Sequence, residues 1–152
     1  HPFLSDKSVS IHGVEAGGIG MGLGEHAATI VRGTPGVLHG CYTLLLQDRH
    51  GQVQETQSVS AGLDYSAVGP EHAFLHTVGR VQYRAASDNE ALSALNELCA
   101  LEGILPAIES SHALAGARQI GQKHPGVRVL VGLSGRGDKD MPTLLARVGG
   151  GQ

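Results

Sequence analysis

Leu133-Ser134-Gly135-Arg136-Gly137-Asp138-Lys139-Asp140 follows directly on the apolar run Val127-Arg128-Val129-Leu130-Val131. The pattern predicts a buried strand over 127–133, then a turn holding a hydroxyl, two glycines and four charges. In an open α/β sheet, ligands bind beyond the carboxyl ends of the strands. Chemistry is therefore expected near Ser134.

Working back from that point, the chain alternates regularly. Val81–Ala86 reads as a strand, and Ser87-Asp88-Asn89-Glu90 is a capping box. It opens a helix through Ala91, Leu92, Leu95, Leu98 and Cys99 that ends before Gly103. Residues 104–108 read as a short strand, and Ser110 or Ser111 caps a helix running to about Lys123. Asp138 opens a last helix with its acid at the positive end. Strand-helix-strand-helix-strand with short links predicts an open, mostly parallel α/β sheet flanked by helices.

The first half is less regular. Residues 8–14 read as a strand and 15–24 as a glycine-rich loop. Residues 41–47 and 52–56 flank Asp48-Arg49-His50-Gly51, a hairpin insertion with a glycine turn. Residues 58–69 form a polar loop, and Pro70 opens the helix 71–77 at its first position.

Composition narrows the class. The 152 residues are 41% hydrophobic but only 3% aromatic, and glycine reaches 23 residues against a usual share of ~7%. Net charge is −3 with acids and bases interspersed, so no basic stripe points to nucleic acid. No apolar run reaches the ~18 residues of a membrane span. Residues 1–4 lack the features of a signal peptide. A first residue of His1 instead of Met reads as the interior of a longer polypeptide. Cys41 and Cys99, without metal spacing, read as two buried thiols in a reducing cytosol.

Several local patterns carry chemistry only weakly. Gly22 to Ala27 spells a nominal GxGxxA, but the acid expected ~20 residues on falls at Asp48, on the hairpin. His72 and His76 share a helical face without a third ligand. Gly132-Leu133-Ser134-Gly135-Arg136 misses the nucleophile-elbow pattern because Arg136 replaces its last glycine. Arg136-Gly137-Asp138 is an accidental adhesion tripeptide. Glu109 and His112 follow the predicted 104–108 strand, which brings Glu109 near Ser134 if neighbouring strands end together. Asp64 stands in a loop of small residues suited to a hard cation or a substrate.

Six blocks carry a more specific signal: Gly13-Val14-Glu15, Gly36-Val37-Leu38-His39-Gly40, residues 58–65, Val68-Gly69-Pro70-Glu71-His72-Ala73, residues 108–115 and residues 133–140. In this order, from Val9 to Asp140, they resemble the C-terminal part of the tryptophan synthase beta chain, a fold-type II pyridoxal-phosphate (PLP) enzyme. The resemblance implies β-replacement, in which L-serine and indole give L-tryptophan and water. It implies that Ser134 hydrogen-bonds the pyridine nitrogen, with Gly135 beside it, and that Glu109 lies by the cofactor ring. It assigns Gly62 to Asp64 to the substrate-facing loop, with Asp64 in the open/closed switch. Glu15, Ala27, Leu63, Tyr65 and Ala67 match positions around a monovalent cation (Na or K), largely as carbonyl donors.

Gly132, Gln57 and Ser66 depart from the family pattern. None of Lys7, Lys123 and Lys139 sits in the Schiff-base lysine motif, and the phosphate cup is expected before His1. The expectation is a C-terminal portion of a cytoplasmic catalytic core over 1–148 with a flexible tail over 149–152, inactive alone. Its expected partners are an N-terminal half, an alpha chain and a second beta chain in an α2β2 assembly. The alternatives are an inactive remnant serving as a folding or interaction unit, or a free-standing indole-using relative.

Overall fold

The structure is a computed structural model that describes residues 2–149. Two strands form its centre: β1 (Ile11–Ala16) runs parallel to β4 (Val81–Ala86), with Ile11 opposite Val81 and Ala16 opposite Ala86. Two long helices, α3 (Asp88–Glu102) and α4 (Ile108–Lys123), pack on each other, and α4 lies against both strands. The core between them is built from small side chains: Ala86, Ala94 and Ala115 are buried, with Val14 and Leu114 packed on them. Gly116 permits this closeness, since a Cβ there would stand 2.6 Å from Val14 Cγ2. The low aromatic content thus buys short distances between helix and sheet.

The α3 start is as the sequence predicts. Ser87 accepts from the Glu90 N–H, and Glu90 accepts from the Ser87 N–H. Gly103 ends the helix in the left-handed conformation, the usual glycine C-cap. Pro70 occupies the first turn of α2 (Pro70–Thr77).

A short helix α1 (Thr29–Arg32) precedes the hairpin of β2 (Thr34–Leu38) and β3 (Cys41–Leu45). The hairpin therefore lies before Asp48, not around it. His39 and Gly40 both have positive φ, 49° and 79°, the signature of a two-residue type I′ turn. Pro35 and Gly36 disguised β2, because both are poor strand residues tolerated at a sheet edge. At the predicted site there is only a bridge between Gln47 and Val53, closed by Asp48 accepting from the His50 and Gln52 N–H groups. The thiols also differ from expectation: both are free, Cys41 exposed and Cys99 half-buried.

Two predicted strands are not formed. Residues 104–107 form no strand, and α4 begins at Ile108, earlier than a Ser110 or Ser111 cap allows. Residues 127–133 are largely exposed, form no regular element and pair with no strand among the described residues. The last helix opens as a 3-10 turn (Gly137–Asp140) that passes into α5 (Met141–Gly149). The predicted tail over 149–152 begins at the end of α5, and 150–152 lie outside the described residues. No helix among the described residues is long and apolar enough to cross a membrane.

Ser87→Ala removes one half of the capping box and is expected to cost about 1 kcal/mol. Urea unfolding reads this as a lower midpoint with unchanged slope; an unchanged midpoint would refute a stabilising role for the cap.

Candidate functional site

The N-terminus of α4 is where the site residues meet. Its N-cap, Ala107, has no side chain that can accept a hydrogen bond, yet the first N–H groups of any helix need acceptors. The acceptor comes from far along the chain: the Ile108 N–H donates to Asp140 Oδ2 at 3.0 Å. Ser111 instead donates back to the Ala107 carbonyl, and the Gly137 N–H donates to the Leu105 carbonyl at 3.1 Å. Gly137 must be glycine, because a Cβ there would collide with the Pro106 carbonyl.

These bonds fold the 133–140 segment over the start of α4. Ser110 Oγ donates to the Ser134 carbonyl and lies 3.4 Å from Ser134 Oγ. Ser134 itself is exposed. Gly135 follows with φ 73°, a conformation that suits glycine. Ser134 thus contacts Ser110, the residue after Glu109, at a helix start and not at the ends of two strands.

Glu109 is held from two sides. Lys139 Nζ donates to its Oε2 at 2.8 Å, and the Gly62 N–H donates to its Oε1 at 3.0 Å. A Cβ at Gly62 would stand 2.6 Å from Oε1, so only glycine lets the backbone come this close. Desolvation pushes the carboxyl pKa up, but the Lys139 ammonium and the backbone donors outweigh it and hold it at about 2. Lys139 also donates to Asp140 Oδ1 at 2.6 Å. Its role escaped sequence reading, although it lies inside the stretch that decided the fold. The readable signal was Asp138-Lys139-Asp140, a cation between two acids.

Asp64 ends a 3-10 turn (Ala61–Leu63) through its N–H. Its side chain is exposed, and its carboxylate has no partner among the described residues. His112 is buried in α4: its Nδ1–H donates to the Ile108 carbonyl, Nε2 has no partner among the described residues, and burial pushes its pKa down. Gln57, one of the departures, is a structural tie. It accepts from the Ile19 N–H and donates to the buried Asp88 carboxylate, which also accepts from the Val59 N–H. Ser66, another departure, donates to the Gln54 carbonyl.

The cation-site candidates fall on three stretches of chain, at Glu15, at Ala27 and over 63–67. Glu15 and Ala27 lie at the carboxyl end of β1. The Glu15 carboxylate is pushed up by burial, while it accepts from the N–H groups of Ile30 and Val31 and from Thr29 Oγ1. It thus caps α1. The Ala27 carbonyl accepts from the Thr29 N–H, and the Leu63 carbonyl from the Tyr65 N–H. Tyr65 Oη is 2.6 Å from His39 Nδ1, and Ala67 bridges to Leu45.

The weaker patterns acquire structural roles. In the GxGxxA loop the Gly22 N–H donates to Glu25 Oε2 and the Ile19 N–H to the Glu25 carbonyl, so these donors close the loop on itself. His72 bonds Tyr83 Oη through Nδ1, and His76 meets the same ring edge-on.

Because Glu109 has a depressed pKa in the fold, its ionised form stabilises the fold above its ordinary 4.5. That contribution is lost as pH falls from there through about 2. Lys139→Met is expected to raise the Glu109 pKa and shift the loss to higher pH. Carbon-13 titration of the carboxyl group measures this; an unmoved titration would rule out the ammonium as the cause.

Comparison with known proteins adds sequence evidence to this geometry. No family model matches the chain. The tryptophan synthase beta chain of Albidiferax ferrireducens is 54% identical over 145 residues, covering 95% of this chain and 33% of the relative. The chain therefore spans about one third of the length of that relative. At this identity across nearly its whole length, the chain is homologous to a portion of a tryptophan synthase beta chain, the family its ordered motifs imply.

Proposed function

We propose that this chain supplies one wall of a PLP site that joins L-serine and indole to give L-tryptophan and water. The observation that carries this reading is the meeting of Ser134, Glu109 and Gly62 around the start of α4. The homology to a tryptophan synthase beta chain supports it. When bound, PLP supplies the electron sink for loss of the serine hydroxyl and addition of indole.

The donor set suits a pyridine ring. Ser134 offers an exposed neutral hydroxyl, and Ser110 fixes the backbone that carries it. A hydroxyl leaves the ring nitrogen less electron-withdrawing than an acid partner would, which favours elimination and replacement at the β-carbon. Glu109, ionised and held by Lys139, acts in this arrangement as an acceptor beside the ring. Taking up a proton requires it to leave that cation. The Gly62–Asp64 loop faces the substrate, and the free carboxylate of Asp64 is available to a cationic partner on closure. In this reading Glu15, Ala27, Leu63, Tyr65 and Ala67 surround a monovalent cation, largely through their carbonyls.

The Schiff-base lysine and the phosphate cup come from an N-terminal half, and Lys139 is already engaged by two acids. The chain alone is inactive in this reading. It works in the cytoplasm with that half, an alpha chain and a second beta chain. One competing reading is an inactive remnant that serves as a folding or interaction unit. Intact mass with borohydride trapping separates the two. A cofactor locked on a lysine of a larger polypeptide supports the enzyme; no trapping in any complex supports the remnant.

In the complete protein, Ser134→Ala is expected to weaken PLP binding roughly tenfold, the worth of one good hydrogen bond, and to change the cofactor spectrum. Unchanged spectrum and turnover would remove Ser134 from its role. Asp64→Ala is expected to impair closure, so that serine is lost as pyruvate and ammonia. Product analysis showing normal coupling of serine to tryptophan would refute the assignment.

A further inference from the structure

Two buried side-chain atoms, Ser60 Oγ and His112 Nε2, have no hydrogen-bond partner among the described residues. Their residues are 1% and 0% exposed, and a polar atom left unmet at that depth is costly. Both lie between the same two acids. The 57–62 loop is tied to Asp88 through the Val59 N–H and to Glu109 through the Gly62 N–H. Ser60 stands between these ties, beside the Glu109 carboxylate, whose pKa its hydroxyl helps hold down. His112 follows Glu109 by one turn of α4 and so shares its helix face. Its ring feels both carboxylates, Asp88 at the start of α3 and Glu109 on its own helix. Arg147 stands 3.9 Å from the first, and Lys139 is against the second.

Chemistry limits what can meet these atoms. His112 Nδ1 carries a proton, because it bonds the Ile108 carbonyl, which only accepts. Burial keeps the ring neutral, so Nε2 is a bare acceptor. Asp88 accepts from Val59 and Gln57, and Glu109 from Gly62 and Lys139, so neither carboxylate supplies the donor. The Ser60 hydroxyl has a proton but makes no bond to Nε2. A metal ion does not fit either, since no three His, Cys, Asp or Glu side chains among the described residues are placed to hold one.

We propose that His112 is a positioning residue for Glu109 and acts through one internal water. The water donates one hydrogen to His112 Nε2 and the other to Ser60 Oγ. Both unmet atoms are then satisfied, and the Ser60 hydrogen is turned toward the Glu109 carboxylate. Buried waters ordinarily hold roughly two to four such polar partners. The relay gives Glu109 a donor that stays in place. Lys139 is half exposed and must be left behind when Glu109 takes up a proton, whereas Ser60 is buried. The relay itself rests on burial and donor chemistry; its use, steadying Glu109 beside the cofactor ring, rests on the proposed function.

The test uses the complete protein. Nitrogen-15 NMR of labelled histidine is expected to show His112 as the Nδ1–H tautomer with a hydrogen-bonded Nε2 and magnetisation transfer from a long-lived water. A bare Nε2, or the opposite tautomer, would overturn the relay, and this measurement needs no variant to fold. Carbon-13 titration then reads Glu109. His112→Leu is expected to raise its pKa by about one unit, the size of a hydrogen bond to a charge. His112→Gln, whose amide keeps a donor and an acceptor, is expected to restore most of the shift. Ser60→Ala is expected to give the same rise, and adding His112→Leu to it no more. No shift, or an equal further shift without the Ser60 hydroxyl, would overturn the relay. Borohydride trapping is a separate readout: a bonded Nε2 and coupled shifts without a trapped cofactor sink the catalytic reading and leave the relay standing.

Discussion

A helix cannot leave its first N–H groups without acceptors, and α4 begins at a residue pair, Pro106-Ala107, that offers none from its side chains. Asp140 answers that need from 32 positions away. Once its carboxylate is fixed at the helix start, the stretch before it is drawn across Leu105 and Ser110. Ser134 and Gly135 then arrive next to the helix. The acceptor is negative and sits at the positive end of a sixteen-residue helix, a favourable placement for a charge. One long-range cap thus decides both where α4 starts and where the site residues stand.

Electrostatics follows from the same cap. Asp140 uses one oxygen for the helix and the other for Lys139, and Lys139 reaches on to Glu109. Lys139 is half exposed and Glu109 largely covered, so as a bare surface pair this ion pair would contribute little. Glu109 is different because the Gly62 N–H adds a second donor from another loop. The carboxylate therefore links three segments, and its charge state reports whether they are assembled. The carboxylate of Asp64, two residues from Gly62, is left without a partner among the described residues.

Legibility in the sequence followed the range of the interactions. The capping box at Ser87, the glycine stop at Gly103 and the helix opened by Pro70 are local, and each was readable from three or four residues. The hairpin was not, because its turn uses His39 in a conformation that few non-glycine residues adopt, while Pro35 hides the strand before it. The start of α4 was misplaced for a different reason. Ser110 and Ser111 look like caps, but the true acceptor is distant in sequence, and the two hydroxyls are used instead on Ser134 and Ala107. Ser134, Glu109 and Gly62 were found through ordered motifs; Lys139 was missed because a salt bridge over thirty positions leaves no periodic trace.

The unformed strand over 127–133 is the instructive failure. Its composition is that of a strand buried on both faces, and Val127, Val129 and Leu130 stand exposed instead, Leu130 at 87%. A strand is not a property of its own residues alone, since it needs a neighbour within about 4.8 Å to complete its hydrogen bonds. β1 has such a neighbour in β4 and is formed; residues 127–132 line a groove together with β1 and form no ladder. Sequence pattern reports the environment for which a segment was selected, while backbone pairing reports the environment present. Here the pattern is that of a paired strand, and among the described residues no strand pairs with it.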